Sequence, residues 1–187
     1  LILVIIGGAE LFTGNNLIVM AWADRKVTTT QLARNWSIVY AGNLVGALAT
    51  AVLVVWSGVL DLNNGAVADN ATAIAKGKLD LSFFQAFFRG VLCNVLVCLA
   101  VWLSFAATRV SGKILAIIFP ITAFVGAGFE HSVANMYALP VAMLSGNMPI
   151  DVAGFITNLV AVTAGNIIGG GVFVALVYWM IYLHPAR

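Results

Sequence analysis

Charged side chains are scarce in this sequence, at 9% of 187 residues, and nine Lys/Arg against seven Asp/Glu leave a net charge of only +2. So thin and scattered a charge excludes nucleic-acid binding, which draws its affinity from clustered cations. There are two cysteines, Cys93 and Cys98, both inside one apolar run with no His or Cys nearby to complete a metal site. They read as small buried hydrophobes, and no metal or other cofactor is expected. Histidine is equally rare: His131 and His184 stand far apart, and the order Glu130–His131 is not the His-Glu-x-x-His of a zinc protease. No Ser–His–Asp set stands out either, so the chain is not expected to be an enzyme. Strict alternation of apolar and polar residues is missing too, which excludes a transmembrane barrel.

What fills the sequence instead is continuous hydrophobic character, 62% of residues. Several runs reach the roughly 20 residues needed to cross a hydrocarbon core, and in lipid such runs satisfy their backbone only as helices. The reading is one all-α polytopic membrane domain over 1–187, with spans at 1–23 (broken), 36–58, 82–107, 113–145 (broken) and 155–183. Arg25, Lys26 and Arg34 lie between the first two spans, and Arg109 and Lys113 between the third and fourth. The 59–81 loop mixes Lys76 and Lys78 with Asp61, Asp69 and Asp80, while 146–154 carries no basic residue. The positive-inside rule then places 24–35, 108–113 and the C-terminus in the cytoplasm.

A repeat organises these spans. "AGNLVG" at 41–46 recurs as "AGNIIG" at 164–169, 123 residues on, and Glu10 with Asn15 recurs as Glu130 with Asn135, 120 residues on. By the loop assignment the two copies run in opposite directions, the inverted repeat of transporters and channels. The mate of the helix at 82–107 falls upstream of residue 1, so a first helix is expected to be missing from this fragment of a six-helix, 3+3 protein. The start, "LILVIIGGAELF", reads as the inside of a helix.

In each unit one helix is interrupted by Gly and polar residues, at "GGAELFTGNN" and "GAGFEHSVANM". Non-helical backbone at membrane depth is tolerated only where it lines a cavity or is buried in protein. Ionisable groups there are functional candidates by default. Glu130 has a repeat mate in Glu10, so Glu10, Glu130 and Asn135 are expected to be structural polar groups at the breaks. His131 faces Leu11 across the repeat, breaks the symmetry, and is expected in the pathway. Asn166 divides evenly between packing and contact with a solute or His131. Arg89, inside the third span, must snorkel, pair or face water.

"GGAELFTGNNL", "NWSIVYAGNLVG", "LCNVLVCLAVW", "GFEHSVANM" and "AGNIIGGG" together closely resemble the formate/nitrite transporter family, in family order from residue 1 to about 183. The resemblance implies an aquaporin-like fold, a homopentamer with one pore per protomer in a bacterial or archaeal cytoplasmic membrane, and small monovalent anions as solutes. Formate is the expected solute, with nitrite or hydrosulfide as the alternative and a proton as partner. It also implies a pathway of His131, Thr13, Asn166 and a vestibule lysine, Lys78. The inner constriction would be Leu11, Phe124 and Val97, and the outer one Leu1 with Phe124. Arg89 is outside the family's core pattern, and its role stays open. Physically, a histidine of unperturbed pKa about 6.5 could offer a proton to an anion between two apolar constrictions. A mouth lysine could raise the local anion concentration.

Overall fold

The computed structural model describes residues 1–184. Two elements of the second unit, α6 (Val110–Gly126) and α7 (Ser132–Leu144), are the halves of one broken helix. Their counterparts in the first unit are α1 (Ile2–Gly7) and α2 (Ile18–Ala23), joined through a 3-10 turn at Gly14–Leu17. Among the described residues three long apolar helices complete the bundle: α3 (Thr29–Trp56), α5 (Phe83–Ala106), and Val152–Tyr182, which comprises α8 (Val152–Ile167), a π-helical stretch at Ile168–Leu176 and α9 (Val177–Tyr182).

Helix starts follow local chemistry. Thr28 with Gln31 and Ser82 with Gln85 form reciprocal capping boxes at α3 and α5, and Asp151 Oδ1 accepts from Gly154 N at α8. The box moves the start of the second span from residue 36 to Thr29. The half-helices stop at matched glycines: Gly8 (φ 74°) and Gly128 (φ 68°) are 120 residues apart, and both adopt the left-handed conformation that favours glycine.

The 59–81 segment, expected as a loop, contains the helix α4 (Ala66–Leu79). Its Asp, Asn and Lys side chains hide an alanine-rich stripe in which Ala68, Thr72 and Ala75 are buried, with Ala75 packed against Leu139, Ala142 and Met143 of α7. This helix decides where Lys78 goes.

The duplicated Asn-Gly motifs serve close packing in the second unit. A Cβ at Gly165 would strike the Phe87 carbonyl of α5, one at Gly169 the Val91 carbonyl, and one at Gly170 Asn94 and Cys98. Backbone cannot step aside as a flexible side chain can. Gly165→Ala is therefore expected to lower stability in detergent by roughly 2–3 kcal/mol. Gly77→Ala, on the exposed side of α4 with nothing within 4 Å, should be neutral or stabilising by up to about 1 kcal/mol. Thermal unfolding of the two variants checks the contrast.

The two ends of the bundle are distinguishable. At one end Trp179 Nε1 donates to Asp24, and the 24–26 turn, Phe105 of α5 and Leu183 line a common cavity. At the other, Asn147 Nδ2 donates to Asp69 Oδ1, joining the 59–81 and 146–154 segments. The far C-terminus, including Arg187, lies outside the described residues.

Candidate functional site

The site grows from the repeat. In the first unit Asn43 of α3 accepts from Phe12 N through Oδ1 (2.9 Å) and donates to the Glu10 carbonyl (3.1 Å). In the second, Asn166 of α8 accepts from Ser132 N (2.9 Å) and donates to the Glu130 carbonyl (3.1 Å) and the Gly90 carbonyl (2.8 Å). Each asparagine thus replaces the hydrogen bonds that a broken helix forfeits. Asn15 Nδ2 donates to the Glu10 carboxylate and to Asn35, and Asn135 Nδ2 to the Glu130 carboxylate and to Asn158. Asn35 and Asn158 are themselves 123 residues apart, a mate pair the motifs did not disclose. Tyr40 and Thr163, related by the same spacing, touch each other at 3.0 Å, so they lie beside the pseudo-twofold axis.

At the centre Thr13 Oγ1 meets His131 Nε2 at 2.9 Å, joining the break of one unit to the break of the other. Thr13 is fully buried and His131 is 8% exposed. His131 is also the N-cap of α7: its Nδ1 accepts from Ala134 N at 3.1 Å. That bond assigns the tautomer from the network, because an Nδ1 that accepts leaves the proton on Nε2. Nε2–H then donates to the Thr13 oxygen, and the Thr13 hydroxyl proton is left to point elsewhere. The Thr13 carbonyl is held by Asn94 Nδ2 (3.2 Å) and Cys98 Sγ (3.4 Å). Asn94 also donates to the Asn166 carbonyl at 2.6 Å, so one buried side chain ties the first break to α8. Sequence reasoning passed over Asn94, although an asparagine in an apolar span always needs a partner.

Two of the expected pathway residues are engaged by the protein's own groups. Asn166 is fully buried, and both its amide and its carbonyl are taken up by backbone groups. These bonds shape the second break. Lys78 Nζ pairs with both carboxylate oxygens of Glu130 at 3.1 Å, with side-chain exposures of 18% and 4%. The Lys78 carbonyl accepts from Asn158, which closes a ring of Lys78, Glu130, Asn135 and Asn158. Accordingly the Glu130 carboxylate binds side chains, and only its backbone N–H turns to Arg89 O. Glu10 is exposed, and among the described residues it has no cationic partner.

Of the expected constriction residues, Phe124 stacks on His131 with ring centroids 5.9 Å apart and 20° between planes. Leu11 lines a cavity of about 280 Å³ with Glu10, Asn15 and Val101. Val97, 1% exposed, lines none of the cavities described, and Val101 one turn on stands at the wall. Leu1 is half-buried at the start of α1, which packs on α6. A second cavity, of about 340 Å³, opens beside Lys78, Asn158 and Asp151. The first cavity thus holds Glu10 of the first break, and the second holds Lys78, the partner of Glu130. Among the described residues no cluster of three or more metal-ligating side chains occurs.

A sequence model of the family described as formate/nitrite transporter matches residues 1–180. This chain belongs to the formate/nitrite transporter family. It is 46% identical over 184 residues to the uncharacterised transporter YrhG of Bacillus subtilis, an alignment covering 97% of this chain and 68% of that protein. It is 42% identical over 201 residues to the formate channel FocA of Escherichia coli K12, covering 98% and 70%. Among solved structures, a pentameric formate channel with formate bound superposes with a TM-score of 0.88 at 40% identity, covering 97% of this chain and 78% of that one. These relatives are named as channels and transporters, not enzymes, and the chain is a multi-pass membrane protein of their fold.

Proposed function

We propose that this family member conducts small monovalent anions, formate first among them, through a pathway that passes the Thr13–His131 pair. The observation that carries the reading is that buried 2.9 Å contact between the breaks of two inverted repeats. An anion arriving there meets a hydroxyl whose oxygen is already occupied by His131, so its O–H donates outward to a carboxylate oxygen. Protonating the anion from His131 would need a second ring proton on Nδ1, and that proton would displace the α7 cap at Ala134 N. Hydrogen-bond donation through Thr13 therefore comes first, with proton transfer as a later step. Leu11 and Phe124 would supply the apolar inner constriction beside this point, and Phe124 with Leu1 the outer one. A homopentamer and the choice of formate over nitrite or hydrosulfide rest on the relatives, one of them a pentameric formate channel with formate bound. The end holding Arg25 and Lys26 would face the cytoplasm of a bacterial or archaeal inner membrane.

The test is flux in proteoliposomes containing the full-length protein. Formate is expected to equilibrate well above the leak of empty vesicles and faster than nitrite. Leak-level formate flux alongside intact oligomers would overturn the reading.

A further inference from the structure

Arg89 is the only charged residue in the 24-residue span of α5, yet nothing in the pathway uses it. It is exposed on the flank of the helix, and among the described residues it has no acidic partner. What it touches is the second break. Its Nη1 donates to the Gly128 carbonyl at 3.4 Å, and its own carbonyl accepts from Glu130 N at 3.3 Å. The next residue, Gly90, receives Asn166.

The surroundings of Gly128 say what that contact does. Helix α6 ends in a Schellman arrangement: Gly128 N donates to Val125 O (3.1 Å) and Phe129 N to Phe124 O (3.0 Å), with Gly128 in the left-handed conformation. Those two bonds leave the Gly128 carbonyl outside the cap, at the end of a helix whose C-terminus carries partial negative charge. A guanidinium there satisfies the carbonyl and sits where a cation is favoured. Phe124, the residue whose carbonyl anchors the cap, is the one whose ring lies on His131.

We infer that Arg89 is a positioning residue: it pins the α6 cap from α5 and thereby holds Phe124 over His131, setting the width of the passage. The consequence for selectivity rests on the proposed function; the pinning itself does not.

Two readouts separate these. In the full-length protein in nanodiscs, Arg89→Met is expected to speed hydrogen exchange at the amides of residues 128–131 about tenfold, with α8 unchanged. In proteoliposomes it should raise the acetate-to-formate flux ratio by at least about threefold, as a loosened Phe124 admits the larger solute. Arg89→Lys, which keeps a cationic donor, should stay close to wild type in both. Arg89→Gln, lacking charge and reach, carries the same test if Arg89→Met does not assemble. Unchanged exchange at 128–131 would overturn the inference, as would uniform acceleration with an unaltered flux ratio. If wild type conducts no formate, the proposed function falls, and the exchange measurement alone decides on Arg89.

Discussion

His131→Ala is expected to reduce formate flux by about 100-fold or more, within the range that losing a hydrogen-bond donor held on an anion costs. Alanine removes two things at once, the Nε2 contact to Thr13 and the Nδ1 cap on Ala134 N. Loss of the cap alone destabilises by about 0.5–2 kcal/mol, so a flux defect in this variant could come from a frayed α7. His131→Asn separates the two. Asparagine is among the best N-caps and its oxygen can accept from Ala134 N, but its side chain is too short to reach Thr13 as well. It should restore thermal stability to near wild type while flux stays as low as in His131→Ala. Asparagine restoring flux along with stability would reduce His131 to a helix cap and remove the centre from the proposed mechanism.

The sequence made the inverted repeat legible because its marks are costly residues. Glycines and asparagines in apolar spans, and a glutamate five residues before an asparagine, have few reasons to recur by accident. Their shared spacing could be checked by counting. The hydrogen bonds of Asn43 and Asn166, and of Asn15 and Asn135, show why those types were needed: each replaces backbone partners lost at a break, or orients the acid beside it. What could not be read were pairings across long separations with no repeat to announce them. Lys78 and Glu130 are 52 positions apart. They meet because a helix occupies 66–79, and its polar exposed side chains masked the small-residue stripe that packs on α7. Asn158 and Asn94 were passed over for a related reason. A single buried amide in a span looks the same whether it bonds a neighbouring turn or, like Asn94, holds the Thr13 loop in place.

The same long-range pairing decides how Lys78 should respond to substitution. Lys78→Met leaves the Glu130 carboxylate, 4% exposed, with no opposing charge. Removing one member of a buried pair costs about 3–5 kcal/mol, because the survivor keeps its desolvation without its partner. The protein is therefore expected to melt well below wild type, and flux to fall with it. Glu130→Gln should be milder, since a glutamine oxygen can still accept from Asn135 Nδ2 and Lys78 is the less buried partner. The decisive variant is the double one. With Lys78→Met and Glu130→Gln together no charge is stranded, and stability should recover most of what Lys78→Met lost. If flux recovers with it, Lys78 serves chiefly to neutralise Glu130 and hold the second break. If stability recovers and flux does not, the lysine's own field draws anions despite its partner, as the vestibule reading holds. The geometry favours the first outcome. A pair closed at 3.1 Å to both oxygens presents little net charge to a solute beyond it, and the ring through Asn135 and Asn158 fixes the lysine in place.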